Sequence, residues 1–232
     1  ELAAKYPGVD PWLVQLYGRL GPAVRTDIRL LCVPLSGALT YFLESPVDEE
    51  SLEPALDMLR QASPEDVLER VVTRLAWRAK SPRYRGPKHN VEPNELRRWI
   101  REEPERVKRF IAALDRPSSE ERFPVAAERA VALLSDPAEL KRVVERLLAQ
   151  LWYDHFQPQW QEVLPTARSL ARAARSQFYL GDQERVVAAV VGASTLERVD
   201  VSAGAKIVFC PVPFLGPYVA TGVHVEGGTD VV

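Results

Sequence analysis

DPAELKRVVERLLAQLWYDHFQPQW, residues 136–160, opens with three helix-start signals: an aspartate to cap, a proline at the first helical position and a glutamate at the third. Leu140, Val143, Val144, Leu147, Leu148, Leu151 and Trp152 then recur every three or four positions. That spacing makes one apolar stripe over about 20 residues, or roughly 30 Å of helix. The last nine positions hold four aromatic rings, one histidine and one aspartate, a density found nowhere else in the chain. Trp152, Phe156 and Trp160 fall at i, i+4 and i+8 of a continued helix, and Gln157-Pro158 is expected to break or kink it.

The same grammar of proline and capping residues runs outward from this stretch. Asp10-Pro11 opens a short helix through Leu13, Leu16, Tyr17 and Leu20, and a second apolar helix is expected from Pro22 to Cys32. SPVDEESLEPALDMLRQAS carries an acidic start and a helix ending near Gln61. Ser63 and Asp66 form a capping box ahead of a helix with Leu68, Val71, Val72, Leu75 and Ala79 on one face. Residues 80–92 read as a polar loop. Asn94 is expected to cap a helix with Leu96, Trp99 and Ile100, and Pro104 to start or kink the next one, through Val107, Phe110, Ile111 and Leu114. A helix from Pro124 to Leu134 precedes residue 136, and a long one follows Pro158 to about Leu180. After Gly181 the pattern changes. QERVVAAVVG reads as a short helix, TLERVDV and AKIVFCPV as two strands joined across Ser202-Ala203-Gly204, and YVATGVHVEGGTDVV as a further strand and turn. The fold expected is mainly α: a helical body of about 8–10 helices over residues 1–180. Residues 181–232 add a short helix and a small antiparallel β-hairpin or short sheet packed on that body, as one structural unit.

The totals exclude several classes of function. A chain of 232 residues with 46% hydrophobic and 27% charged side chains can bury a stable core. Its net charge of −2 does not suit a protein that coats nucleic acid or an anionic membrane as a whole. No apolar run approaches the roughly 20 residues that span a bilayer, so no membrane partner is expected. Cys32 and Cys210 sit in apolar runs without CxxC or Cys–His spacing and read as buried, reduced thiols of a cytoplasmic protein.

Catalytic signatures are not found. LSGAL at 35–39 lacks the spacing of a GxSxG elbow, and there is no phosphate-binding GxxxxGK[ST] or GxGxxG loop. Asp154 and His155, adjacent on a helix, diverge by about 100° and cannot share one ion, and a metal centre needs three or four converging ligands. Neither a metal nor a cofactor is expected. The aromatic stretch is read first as core, and second as the lining of a small-ligand cavity. Trp, Tyr and His carry polar handles, and apolar pockets with a few polar groups suit small ligands. Trp152, Tyr153, His155, Phe156 and Trp160 are the candidate pocket residues. Two basic regions stand out: Arg83, Arg85, Lys88, Arg97, Arg98 and Arg101 in residues 81–101, and Arg168, Arg172 and Arg175 in residues 163–180. They read as solvated faces paired with acids, or as phosphate contacts. No helix-turn-helix can be placed on either, and nucleic-acid-binding residues are not assigned.

The order of the C-terminal third carries a resemblance. A long helix ends in LLAQLWYDHFQPQW. An arginine-studded helix then ends at a glycine, and a short helix and a hairpin run into KIVFCPVPF. With FLESPVDEESLEPALDMLRQASPEDV earlier, this resembles the effector segment of bacterial winged-helix transcriptional regulators of the arsenic-repressor class. The resemblance covers about two thirds of the chain and lies in aromatic and proline positions. It implies a ligand-sensing or dimerising domain, a homodimer, a small apolar ligand, and DNA contact through a winged helix that is not visible in residues 1–232. The metal-sensing cysteines of the arsenic repressors are not matched. Two alternatives stand beside it: an enzyme using Tyr153, Asp154 or His155 as acid or base, and a structural interaction module using exposed arginines.

Overall fold

Proline starts seven of the nine described α-helices, where its missing N–H is one of the orphan donors of the first turn and its fixed φ suits helix entry. The computed structural model describes residues 10–32, 34–39, 51–80, 90–114, 124–179, 222–225 and 228–231. Its helices are α1 (Pro11–Arg19), α2 (Pro22–Cys32), α3 (Glu53–Gln61), α4 (Pro64–Lys80), α5 (Pro93–Glu102), α6 (Pro104–Leu114), α7 (Pro124–Ser135), α8 (Pro137–Leu151) and α9 (Gln157–Tyr179). A 3-10 turn spans Ser36–Leu39, and a π turn, Trp152–Phe156, lies between α8 and α9. The mainly helical fold is as expected. The short helix and the hairpin expected over residues 182–212 lie outside the described residues. Gly222–Val225 and Gly228–Val231 pair antiparallel, with Val223 opposite Asp230, a ladder too short to stand alone.

The caps follow the sequence closely. Asp10 accepts from the Trp12 amide at 2.7 Å. Ser63 and Asp66 exchange hydrogen bonds as a complete capping box, with the Asp66 amide donating to Ser63 Oγ at 3.1 Å. Asp136 accepts from the Glu139 amide at 3.0 Å. One expected cap is corrected: α5 begins at Pro93 with Glu92 as its extended N-cap residue, and Asn94 instead accepts from Arg97 Nη1. Proline at the first position moved the helix start one residue ahead of the polar side chain.

Two units make up the chain, Leu20–Asp154 and a second formed by Glu1–Arg19 with His155–Val232. In the first, α4 packs against the 3-10 turn, α5 and α8, while α8 also packs against α2, α3 and α7. Val67, Val71, Val72, Leu75 and Ala79 of α4 meet Leu140, Val143, Val144 and Leu147 of α8 in one apolar core. These are largely the stripes that the spacing predicted, but Val67, not expected there, is buried, while Leu68, Leu148 and Leu151 are only half-buried. The 3-10 turn approaches α4 so closely that a Cβ on Gly37 would stand 2.3 Å from the Arg70 carbonyl oxygen. In the second unit, Leu164 and Ala167 of α9 are buried, while Pro165 lies inside that helix and is exposed.

Candidate functional site

The helical run does not break at Gln157-Pro158 as expected. It passes through the π turn Trp152–Phe156, and Pro158 falls in the first turn of α9. A proline there removes the donor that would have bonded back into this turn, and widening the preceding turn by one residue accommodates its ring. Single π turns inside helices recur at functional positions, because they release backbone groups from the regular ladder.

The five aromatic-stretch residues are divided by this turn. Trp152 is buried, and its indole N–H donates to Glu53 Oε1 of α3 at 3.1 Å, so its polar handle is engaged inside the first unit. Tyr153 is 41% exposed and lies beside Arg60. Arg60 titrates above its ordinary value, chiefly through its hydrogen bond to Asp57 and then through Tyr153. Asp154 is exposed. In the second unit His155, Phe156 and Trp160 are half-buried, and Phe156 packs edge-on against Trp12, with ring centroids 5.2 Å apart and an interplanar angle of 86°. Within the first unit Trp152 is therefore core and Tyr153 exposed, and within the second Phe156 and Trp160 are half-buried. Among the described residues no group of three or more His, Cys, Asp or Glu converges as a metal site would require. No helix among them is long and apolar enough to cross a membrane.

The basic regions divide as well. Arg97 forms an ion pair with Glu69 of α4, so this member of the 81–101 region meets an acid on a neighbouring helix, and Lys80, just ahead of the region, reaches Glu92 at 2.5 Å. Arg98, Arg101, Arg168 and Arg172 are exposed. An open groove of about 1120 Å³ lies beside Arg97 and Arg101, bordered across from them by Glu65, Asp66 and Glu69. Three of its charges are engaged, Asp66 in the cap of α4 and Glu69 with Arg97.

A second charged constellation escaped the sequence reading. Asp27 of α2 is the buried charged residue of the described core, 7% exposed. Its Oδ1 accepts from Arg129 Nε of α7 at 2.9 Å, and Arg146 Nη2 of α8 approaches Oδ2 at 3.8 Å. A signal for it exists in PAVRTDIRLLC: Asp27 takes the place of an apolar residue in the stripe Val24, Asp27, Ile28, Leu31. An acid on a buried face requires a partner from elsewhere.

Compared with known proteins, the chain matches no protein-family model, no curated protein and no solved structure.

Proposed function

We propose that the chain is the regulatory segment, ligand-sensing or dimerising, of a cytoplasmic bacterial transcriptional regulator. The observation that carries the reading is the aromatic π turn. There the chain passes from one unit to the next, between Asp154 and His155, and each unit holds one aromatic side chain of the turn: Trp152 on Glu53 in the first, and Phe156 on Trp12 in the second. A ligand acts only through unequal affinity for two states, and single π turns inside helices recur at functional positions. The resemblance in aromatic and proline positions to the effector segment of winged-helix regulators supports the same reading. In this proposal a small apolar ligand meets Phe156 and Trp160 of the second unit, at the start of α9, and biases the geometry of a homodimer. DNA is contacted through a winged helix outside residues 1–232.

Trp160→Ala tests the sensing half, with the fluorescent apolar probe 8-anilinonaphthalene-1-sulfonate. The wild type should bind the probe saturably, and the variant should lose most of that fluorescence while its Tm falls by no more than about 4 °C, the equivalent of roughly 1 kcal/mol for a chain of this size. Probe binding equal in both proteins, or a Tm loss as large as that of a core truncation, would return Trp160 to a purely structural role.

A further inference from the structure

We propose that Arg129 and Arg146, held by the buried carboxylate of Asp27, form a seat for a small oxyanion, a free phosphate or carboxylate. Elsewhere among the described ion pairs each cation has at least one acid of its own: Arg60 has Asp57 and Glu145, Arg106 has Glu95 and Glu103, Arg142 has Glu139, and Lys108 has Glu128. Around Asp27 the ratio is inverted. Two guanidinium groups share one carboxylate, and among the described residues neither has another acid within reach.

The geometry leaves donors to spare. Arg129 meets Asp27 through Nε, so both of its Nη groups keep their hydrogens for another acceptor. Arg146 approaches only through Nη2, and only to 3.8 Å. The carboxylate side chain is 9% exposed, whereas those of Arg129 and Arg146 are 41% and 56% exposed. One end of the constellation is therefore fixed in the core, and the other presents surplus positive charge and planar N–H donors to solvent. A guanidinium anchored by a buried acid loses little side-chain entropy on meeting a ligand, and its fork matches the paired oxygens of carboxylate or phosphate. Asp27 acts here as a positioning residue. The seat lies wholly within the first unit and does not depend on the regulatory reading.

The test compares thermal unfolding in inorganic phosphate and in chloride at equal ionic strength. Phosphate well above its Kd should raise the wild-type Tm by about 3 °C over chloride. Arg146→Gln, at an exposed position, should remove that shift while leaving the Tm in chloride nearly unchanged. Arg129→Lys, which keeps the charge but not the planar fork, should reduce it. Arg98→Gln, at an exposed arginine outside the constellation, should retain it in full. No phosphate-specific shift in the wild type would overturn the proposal. So would a full shift in Arg146→Gln, or an equal loss in Arg98→Gln, which would mark diffuse surface charge. A larger shift from duplex DNA of the same phosphate content than from free phosphate would reassign the arginines to a nucleic-acid backbone and overturn the small-ligand seat.

Discussion

At the scale of single residues, two contacts decide how tightly the first unit closes. Gly37 lets the 3-10 turn Ser36–Leu39 lie on α4, since a Cβ would meet the Arg70 carbonyl oxygen at 2.3 Å and the Val71 Cα at 2.5 Å, both backbone atoms. Gly37→Ala should therefore destabilise the protein by about 2 kcal/mol, the usual cost of overpacking a closed site. Urea denaturation should show a lower midpoint at an unchanged slope, and an unaltered midpoint would mean that the turn can step away from α4. Trp152 sets the second contact. Trp152→Phe keeps an apolar ring but removes the donor to Glu53, and should cost about 1 kcal/mol. Trp152→Ala should cost roughly 3–5 kcal/mol, as an aromatic core truncation does. If both variants unfolded like the wild type, Trp152 would not be core.

Elements show which parts of this architecture were legible beforehand. Helix starts were readable because their signals are local: Ser63 and Asp66, or Asp136 and Glu139, lie three positions apart and their bonds are made within one turn. Asp136→Ala should cost α8 about 1 kcal/mol, measurable as a lower urea midpoint, and an unchanged midpoint would show that Pro137 alone suffices to start the helix. The contacts that join elements were not readable. Asp27 and Arg129 are 102 positions apart, and Glu53 and Trp152 are 99 apart, so no spacing rule links them. The π turn was hidden for a related reason. Trp152 and Phe156 fit one helical face at i and i+4, and nothing in that spacing separates an α turn from a π turn when anchors on other segments hold the two rings. The candidate pocket was legible as an aromatic cluster, but not as residues divided between two units.

One further pair joins elements and can be followed by pH. Lys108 of α6 meets Glu128 of α7 at 2.5 Å. Its hydrogen bond holds the Glu128 carboxyl below the ordinary glutamate range, and the same contact raises the Lys108 ammonium. The depressed carboxyl contributes above the pKa of an unfolded glutamate and is lost as pH falls through its folded value. The raised ammonium contributes below the pKa of an unfolded lysine and is lost as pH rises through its folded value. The bridge therefore acts between those limits. Lys108→Met should return the Glu128 carboxyl to the ordinary range in an NMR titration, and an unmoved midpoint would assign the shift to other groups.

For the whole molecule, the question is what the helical run through the π turn serves. Core packing explains α4 and α8, whose apolar stripes face each other. It does not explain why the densest aromatic stretch of the chain coincides with the point where the chain passes from one unit to the next. The regulatory segment proposed above would account for it, because a sensor must link a place where ligands are met to a change in the geometry of the assembly. The most direct measurement is fluorescence anisotropy of the DNA upstream of this protein's own gene, titrated with the product of the complete gene at physiological salt. The account predicts binding at least about 1,000-fold tighter than to unrelated DNA of equal length, the margin that separates specific from non-specific complexes. Equal affinity for both DNAs, or no binding to either, would contradict it.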